Sequence, residues 1–326
     1  MPKITVREFK SADRPQWETF VNTSNNGTMF QKLAFLDYHP ENKFAFRHLM
    51  FFENEHLVGV LPGGYYNTES GEYWSPVGAS YGSIVTQDIS FEKSLAIVDA
   101  FMEYCRGQRF KEVFLIPPPL IYCQNYSQHI EYAMLYRKFD FELHYISHAI
   151  HLKHGADFLQ HFDPTARKTI RKVLRDGVLK IEDSDDYATF HDILLKNKAR
   201  HNVKPTHSLE DLLKLRELMP ENLKLFMVYH EGKAIAGSLL FLCNSKVALC
   251  FYNMMLFEYE HLKPMYLIMH ETVRWATEAG YEWVDIGVSQ VPSDPDPMTP
   301  SLNLINFKER FDSRGILRST YHFTFG

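Results

Sequence analysis

Apolar and polar positions in the first half of the chain change period several times, and each change marks an element. Ile4 to Phe9 alternates as a short strand, and residues 14–38 carry helical spacing broken by the turn-forming run Asn25-Asn26-Gly27. Phe46–Phe52 and His56–Leu61 form two arms across Asn54-Glu55, a hairpin pattern ended by Pro62-Gly63-Gly64. Residues 74–83, rich in Ser, Pro and Gly, predict a loop. Helical periodicity runs from Phe91 to Tyr104, and the apolar strand Glu112–Ile116 stops at three prolines. A helix near 127–137 and a strand through His144–Leu152 complete this half.

The second half repeats that grammar after a helix of unusual charge. Asp163 is placed to cap it, Pro164 to open it, and Gly177 to end it in the left-handed conformation, so the spacing predicts a helix over 164–176. Ile170, Val173 and Leu174 share one face, while Arg167, Arg171 and Arg175 recur every four residues on another, with Lys168 and Lys172 alongside. Like charges at that spacing repel, so the run is either a solvated face or a surface for an anion. Next come a strand over 178–182, helices near 185–200 and 208–218, and a hairpin joining Leu225–His230 to Ala234–Leu242 across Glu231-Gly232-Lys233. Strand Val247–Met254, helix Pro264–Glu278 closed by Gly280, and strand Trp283–Ile286 follow. Two hairpin–helix–strand units predict an α/β (α+β) protein of two domains, 1–150 and 151–326, each a mixed and mostly antiparallel sheet flanked by helices.

Composition narrows the function classes. At 326 residues, 45% hydrophobic and 23% charged, the chain can bury two cores and is not disordered. The net charge is −5: residues 1–150 hold 13 basic against 17 acidic side chains, and residues 151–326 hold 22 against 23. That balance argues against DNA as a partner and leaves room for a local basic patch. MPKITVREFK lacks the apolar core of a signal peptide, and no window reaches the roughly 20 apolar residues of a membrane span, so a cytoplasmic protein is expected. Cys105, Cys123, Cys243 and Cys250 show no paired spacing and sit in apolar surroundings, as buried thiols do. No glycine-rich phosphate loop, HExxH or GxSxG occurs, and no histidine pair has metal-ligand spacing, so no metal is expected.

RKTIRKVLRDGVLKI at 167–181, with GYEWVDIG at 280–287 followed by NFKERF at 306–311, resembles the Fem-type peptidyltransferases of the GNAT acyltransferase superfamily. The resemblance implies two tandem GNAT-like domains, the second carrying the donor channel. It also implies N-acyl transfer from aminoacyl-tRNA, acyl-CoA or a carrier thioester to a small-molecule or peptidyl amine. No tightly bound cofactor and no covalent enzyme intermediate are then needed. In GNAT folds the donor lies between two splayed strands, with its phosphates at the N-terminus of the following helix, here the one opening at Pro264. The glycine-rich turn of acetyl-CoA users is replaced by Tyr259-Glu260-His261-Leu262-Lys263-Pro264.

The roles of Lys308 and Arg200 follow from the same resemblance, and the others from position, charge and glycine content. Lys308 takes the place of the donor-channel lysine, beside Phe307, and is expected at the start of a strand with its ammonium in the cleft; Asp312 replaces the motif's final glycine. Arg200, with His201 beside it, aligns with the segment that meets the acceptor's phosphates or carboxylate. Tyr252 and Asn253 end the strand where an acceptor enters, Lys168 and Arg171 front the basic helix, and Tyr81 lies in the glycine-rich run 78–82. Asp285, at a strand end, is expected to cap nearby backbone. The missing glycine turn and Asp312 fit an alternative, a GNAT-fold ligand-binding protein without catalysis.

Overall fold

The computed structural model describes residues 2–200 and 202–326, which form two compact units: the chain up to His144 with Leu317–Gly326, and Tyr145–Ile316. The first contains β1 (Ile4–Glu8), α1 (Arg14–Thr23), α2 (Leu33–Leu36), β2 (Ala45–Phe46), β3 (Leu49–Glu53), β4 (His56–Leu61), β5 (Gly64–Tyr65), β6 (Glu72–Ser75), β7 (Val85–Thr86), α3 (Phe91–Gly107), β8 (Glu112–Leu115), α4 (His129–Tyr136) and the start of β9 (Asp140–His151). The second continues with α5 (Phe158–His161), α6 (Pro164–Asp176), β10 (Leu179–Asp183), α7 (Tyr187–Ala199), α8 (Leu209–Leu218), β11 (Leu223–His230), β12 (Lys233–Leu242), β13 (Val247–Met255), α9 (Pro264–Glu278), β14 (Trp283–Val288), α10 (Leu302–Glu309) and the start of β15 (Ser313–Thr324).

In the first unit β1, β3, β4 and β7 pair in that order, while β8 pairs parallel with β6 and antiparallel with the end of β15. The β3–β4 hairpin turns at Asn54 and Glu55, φ 46° and 70°, because a two-residue turn needs left-handed backbone at both positions. Asn25-Asn26 is more than a turn. Asn26 donates to the Ile84 carbonyl and accepts from the Thr86 N–H, both at 2.9 Å, tying α1 to β7. Apolar residues of α3 pack with Leu49, Tyr73, Val113 and Met134 in one core. Trp74 and Ser75, expected in a loop, instead finish β6.

His48 offers a test of this unit's packing. It is buried, its Nδ1 accepts from the Gly63 N–H at 3.2 Å, and burial, aided by the Arg14 charge, holds its pKa down at about 3. The unfolded imidazole takes a proton near 6.5. Its contribution to stability is therefore full above that value and is lost as pH falls toward 3. Urea midpoints should decline more steeply with acid in the wild type than in His48→Gln; parallel declines would show that native His48 titrates normally.

The second unit's sheet runs β10-β11-β12-β13-β14-β9, antiparallel except between β13 and β14. α6 and α9 cover one face through Ile170, Val173, Leu267, Ile268 and Met269. Gly237 faces the other side, where an added Cβ would lie 2.7 Å from Phe190 of α7. α6 begins and ends as the sequence predicts, with Asp163 accepting from the Ala166 N–H at 2.9 Å and Gly177 left-handed at φ 63°. Its buried stripe is Ala166, Ile170 and Val173; Leu174, expected on that stripe, is 47% exposed because it points a quarter-turn away.

The expected strand at Phe307-Lys308 is a correction, since 302–309 is helix α10. Phe307 and Phe311, four apart, both pack on Tyr266, which sets a helical rather than an alternating period. All four cysteines are buried thiols outside any disulfide. Among the described residues, no helix is long and apolar enough to cross a membrane.

Candidate active site

β13 and β14 pair at only three positions, Val247 with Trp283, Ala248 with Val284 and Leu249 with Asp285, and then part. Two irregularities accompany the fork. Against β12, Leu239 pairs with Tyr252 and Leu240 with Cys250, leaving Phe251 as an extra residue. Against β9, the register of β14 slips between Asp285 and Val288, where Gly287 is left-handed at φ 76°. Beyond the fork, the facing edges of β13 and β14 carry peptide groups that no longer bond to each other.

The bulge at Phe251 shifts the alternation of β13. Asn253 thereby joins Cys250 on one face, where Ser238 Oγ donates to Asn253 Oδ1 at 2.5 Å. The Cys250 thiol, pushed up to about 12 by burial, lies among Asn253, Asp285, Lys308 and Ser238. Tyr252 takes the opposite face, its hydroxyl accepting from the His207 N–H at 3.2 Å and bonded to His207 Nδ1 at 3.0 Å.

Lys308 reaches from α10 to the end of β14 and is 6% exposed. Its Nζ donates to Gly287 O at 2.6 Å, Val288 O at 2.9 Å and Ser289 Oγ at 2.9 Å, so all three ammonium hydrogens are engaged. Burial lowers its pKa to about 8, against the upward pull of Asp285 and Cys250. Asp285 is fully buried and accepts from Ser147 Oγ at 2.6 Å and from the Gly287 N–H at 2.8 Å, which fixes the bend in β14. Ser289 Oγ in turn meets His148 Nδ1 at 3.3 Å.

At the other end of the fork, α9 starts at Pro264 after a left-handed Lys263, φ 60°, and no side chain among the described residues caps its first turn. A 3₁₀ turn, Phe257–Leu262, stands where a glycine-rich turn would be. Arg200 closes α7 with its guanidinium 3.5 Å from the Phe257 ring centroid.

Lys308 and Asn253 both lie beside Cys250, while Phe307 packs on Tyr266 and Phe311. Arg200 lies by the turn before α9. His201 lies outside the described residues. Lys168 and Arg171 point outward from α6 and, among the described residues, make no ion pair. Tyr81 belongs to the first unit, buried between Phe30 and Tyr122. Ser147, His148, Cys250 and Ser289 were not legible as site residues; the one signal was the polar pair Ser147-His148 within the buried part of β9. Among the described residues, no group of three or more His, Cys, Asp or Glu could hold a metal ion.

Residues 161–293 match the acetyltransferase (GNAT) domain family. Over nearly its whole length the chain superposes on a crystal structure of FemX, with a TM-score of 0.69, 12% identity, and 98% of this chain and 97% of that one covered. The fold is like that of FemX. The C-terminal domain (DUF2156) of a putative lysylphosphatidylglycerol synthetase from Agrobacterium fabrum is also similar, at a TM-score of 0.61 and 12% identity, covering 96% and 92%. A tandem GNAT protein from the clavulanic acid biosynthesis pathway matches at 0.56 and 9% identity, covering 99% of each chain. No curated protein matches the chain by sequence. The architecture is two tandem GNAT-like domains, each a mixed, mostly antiparallel sheet with flanking helices. The GNAT match covers residues 161–293, less than half of the chain, and leaves donor and acceptor open.

Proposed function

We propose that the C-terminal domain, residues 151–326, transfers an acyl or aminoacyl group from an activated ester or thioester to an amine, with the reacting carbonyl in the fork between β13 and β14. The observation that carries this reading is the fork itself, with a buried cation, Lys308, bonded to the end of its β14 arm. The amine attacks the carbonyl carbon, the C–O or C–S bond breaks, and the proton lost by the amine ends on the departing oxygen or sulfur. No covalent enzyme intermediate or bound cofactor enters. Lys308 acts on the oxyanion by its field, because its three N–H bonds are committed to protein oxygens.

The donor is an acyl-CoA or an aminoacyl-tRNA, with its phosphates at the uncapped start of α9. The acceptor is a small-molecule or peptidyl amine, and Arg200 meets its acidic group. A cytoplasmic setting suits either donor. The 3₁₀ turn before α9 favours a second reading, a GNAT-fold protein that binds a ligand without transferring it.

Acetyl-CoA and alanyl-tRNA serve as probe donors, with thermal shift reporting binding and mass spectrometry of added primary amines reporting transfer. Binding with acylated amine is the expected result. Binding without product supports the second reading, and neither binding nor product sinks both.

A further inference from the structure

Lys308 does not stand alone at the end of β14. An ammonium group only donates, so Ser289 Oγ accepts from it at 2.9 Å and keeps one hydroxyl hydrogen to give. Among the described residues the remaining partner of that hydroxyl is His148 Nδ1, at 3.3 Å. Where that hydrogen is given to Nδ1, the nitrogen supplies the lone pair and the imidazole is neutral. Ser289 has no freedom to turn elsewhere: its N–H donates to Ile146 O at 3.0 Å, its carbonyl accepts from the Ser301 N–H at 2.7 Å, and it is fully buried. His148 is itself 1% exposed.

We propose that His148, acting through Ser289, is a positioning residue that holds the Lys308 ammonium in place when neutral and disrupts it when protonated, making acyl transfer sensitive to acid. The inference rests on the acyl-transfer reading for its consequence and on the hydrogen-bond chain for its existence. A proton added at Nδ1 turns that nitrogen into a donor. Ser289 Oγ then faces donors from two cations, and its own hydrogen loses its acceptor. Repulsion across one oxygen loosens the Lys308 grip on Gly287 and Val288. The charged groups that bear on His148 are Lys308 and Glu309 from α10 and Asp285 from β14. Burial and the Lys308 charge keep the imidazole below its usual pKa, while Glu309 and Asp285 oppose them. Lys308 loses its proton near 8, so transfer has an acid limit set by His148 and an alkaline limit set by Lys308.

The His148 ring is titrated by NMR in the wild type, Ser289→Ala and Lys308→Met. Both variants should raise its midpoint, Lys308→Met by about one unit because a neighbouring cation is gone; midpoints unchanged in both would overturn the link. Rates measured against pH with acetyl-CoA or alanyl-tRNA and an added amine give the second arm. His148→Gln still accepts from Ser289 but cannot be protonated, so relative to its own rate at neutral pH it should lose the inflection at the His148 midpoint. His148→Ala, with thermal unfolding checked in parallel, should be slow at every pH. The added amine loses its nucleophilic lone pair to acid in every variant, so the arm is read on the inflection at the His148 NMR midpoint: an inflection there that survives in His148→Gln would overturn the proposal. Should the wild type transfer from neither donor, the acyl-transfer reading fails at that point, and the NMR midpoints still decide whether His148 and Lys308 are coupled.

Discussion

Lys308→Met is expected to lower acyl transfer by a factor on the order of 10²–10³, the cost of losing one oxyanion-stabilising group, while leaving the protein folded. The methionine stem fills the channel that the lysine stem occupies, so the apolar packing of α10 survives. What disappears is a charge at the fork and three hydrogen bonds, to Gly287 O, Val288 O and Ser289 Oγ. Those acceptors are left without a donor, which costs about 1–3 kcal/mol of stability. Lys308→Gln separates the two losses, since its amide donates to the same carbonyls but carries no charge. If the field on the oxyanion is what matters, Gln is as slow as Met yet more stable. If Lys308 only clamps the β14 end, Gln turns over near the wild-type rate, and the catalytic assignment is wrong.

Stability against pH gives an independent check on the same residue. Burial lowers the folded pKa of Lys308 from 10.5 to about 8, so between those values the unfolded chain binds more protons than the folded one. The Lys308 contribution to stability therefore rises with pH across that window, by roughly 3 kcal/mol at about 1.36 kcal/mol per unit. Subtracting the Lys308→Met profile from the wild-type profile isolates this rise; a flat difference would mean that native Lys308 keeps an ordinary pKa.

Elements that announce themselves by local chemistry were legible in the sequence. Asp163, Pro164 and Gly177 bound α6 at the residues their types require, and Glu231-Gly232 turns the β11–β12 hairpin with both residues at positive φ. Position in the fold was not legible in the same way. Phe307-Lys308 allowed either a strand or a helix because a two-residue alternation has no period; Tyr266, 41 positions earlier and in contact with both Phe307 and Phe311, decides for the helix. β15 escaped notice because Arg314, Arg318 and His322 punctuate its apolar positions. The Ser289–His148 bond joins residues 141 positions apart, and neither the alternation of β9 nor the loop after β14 announces it. Lys308 itself was found by resemblance, while its burial and its three acceptors depend on the bend that Asp285 imposes on Gly287.

Donor choice should show itself in salt. α6 buries Ala166, Ile170 and Val173 and turns Lys168, Arg171, Lys172 and Arg175 to solvent. Arg175 bonds to Asp176 at 3.2 Å, and the other three have no acidic partner among the described residues. Four cations on one outward face suit a polyanion better than a single pyrophosphate. If alanyl-tRNA docks there through all four, each contact adds about 0.7–0.9 to the slope of log affinity against log salt, and a fourfold rise in salt weakens binding about 10²-fold. The combined variant Lys168→Ala, Arg171→Ala, Lys172→Ala and Arg175→Ala should bind tRNA more weakly at low salt and lose most of that slope. Its stability should hold or improve slightly, because like charges four residues apart are removed from a solvated face. Acetyl-CoA binding should be untouched, since its phosphates need only the start of α9. Identical salt slopes for tRNA in variant and wild type would assign these cations to solvent, leaving acyl-CoA or a carrier thioester as the donor to pursue.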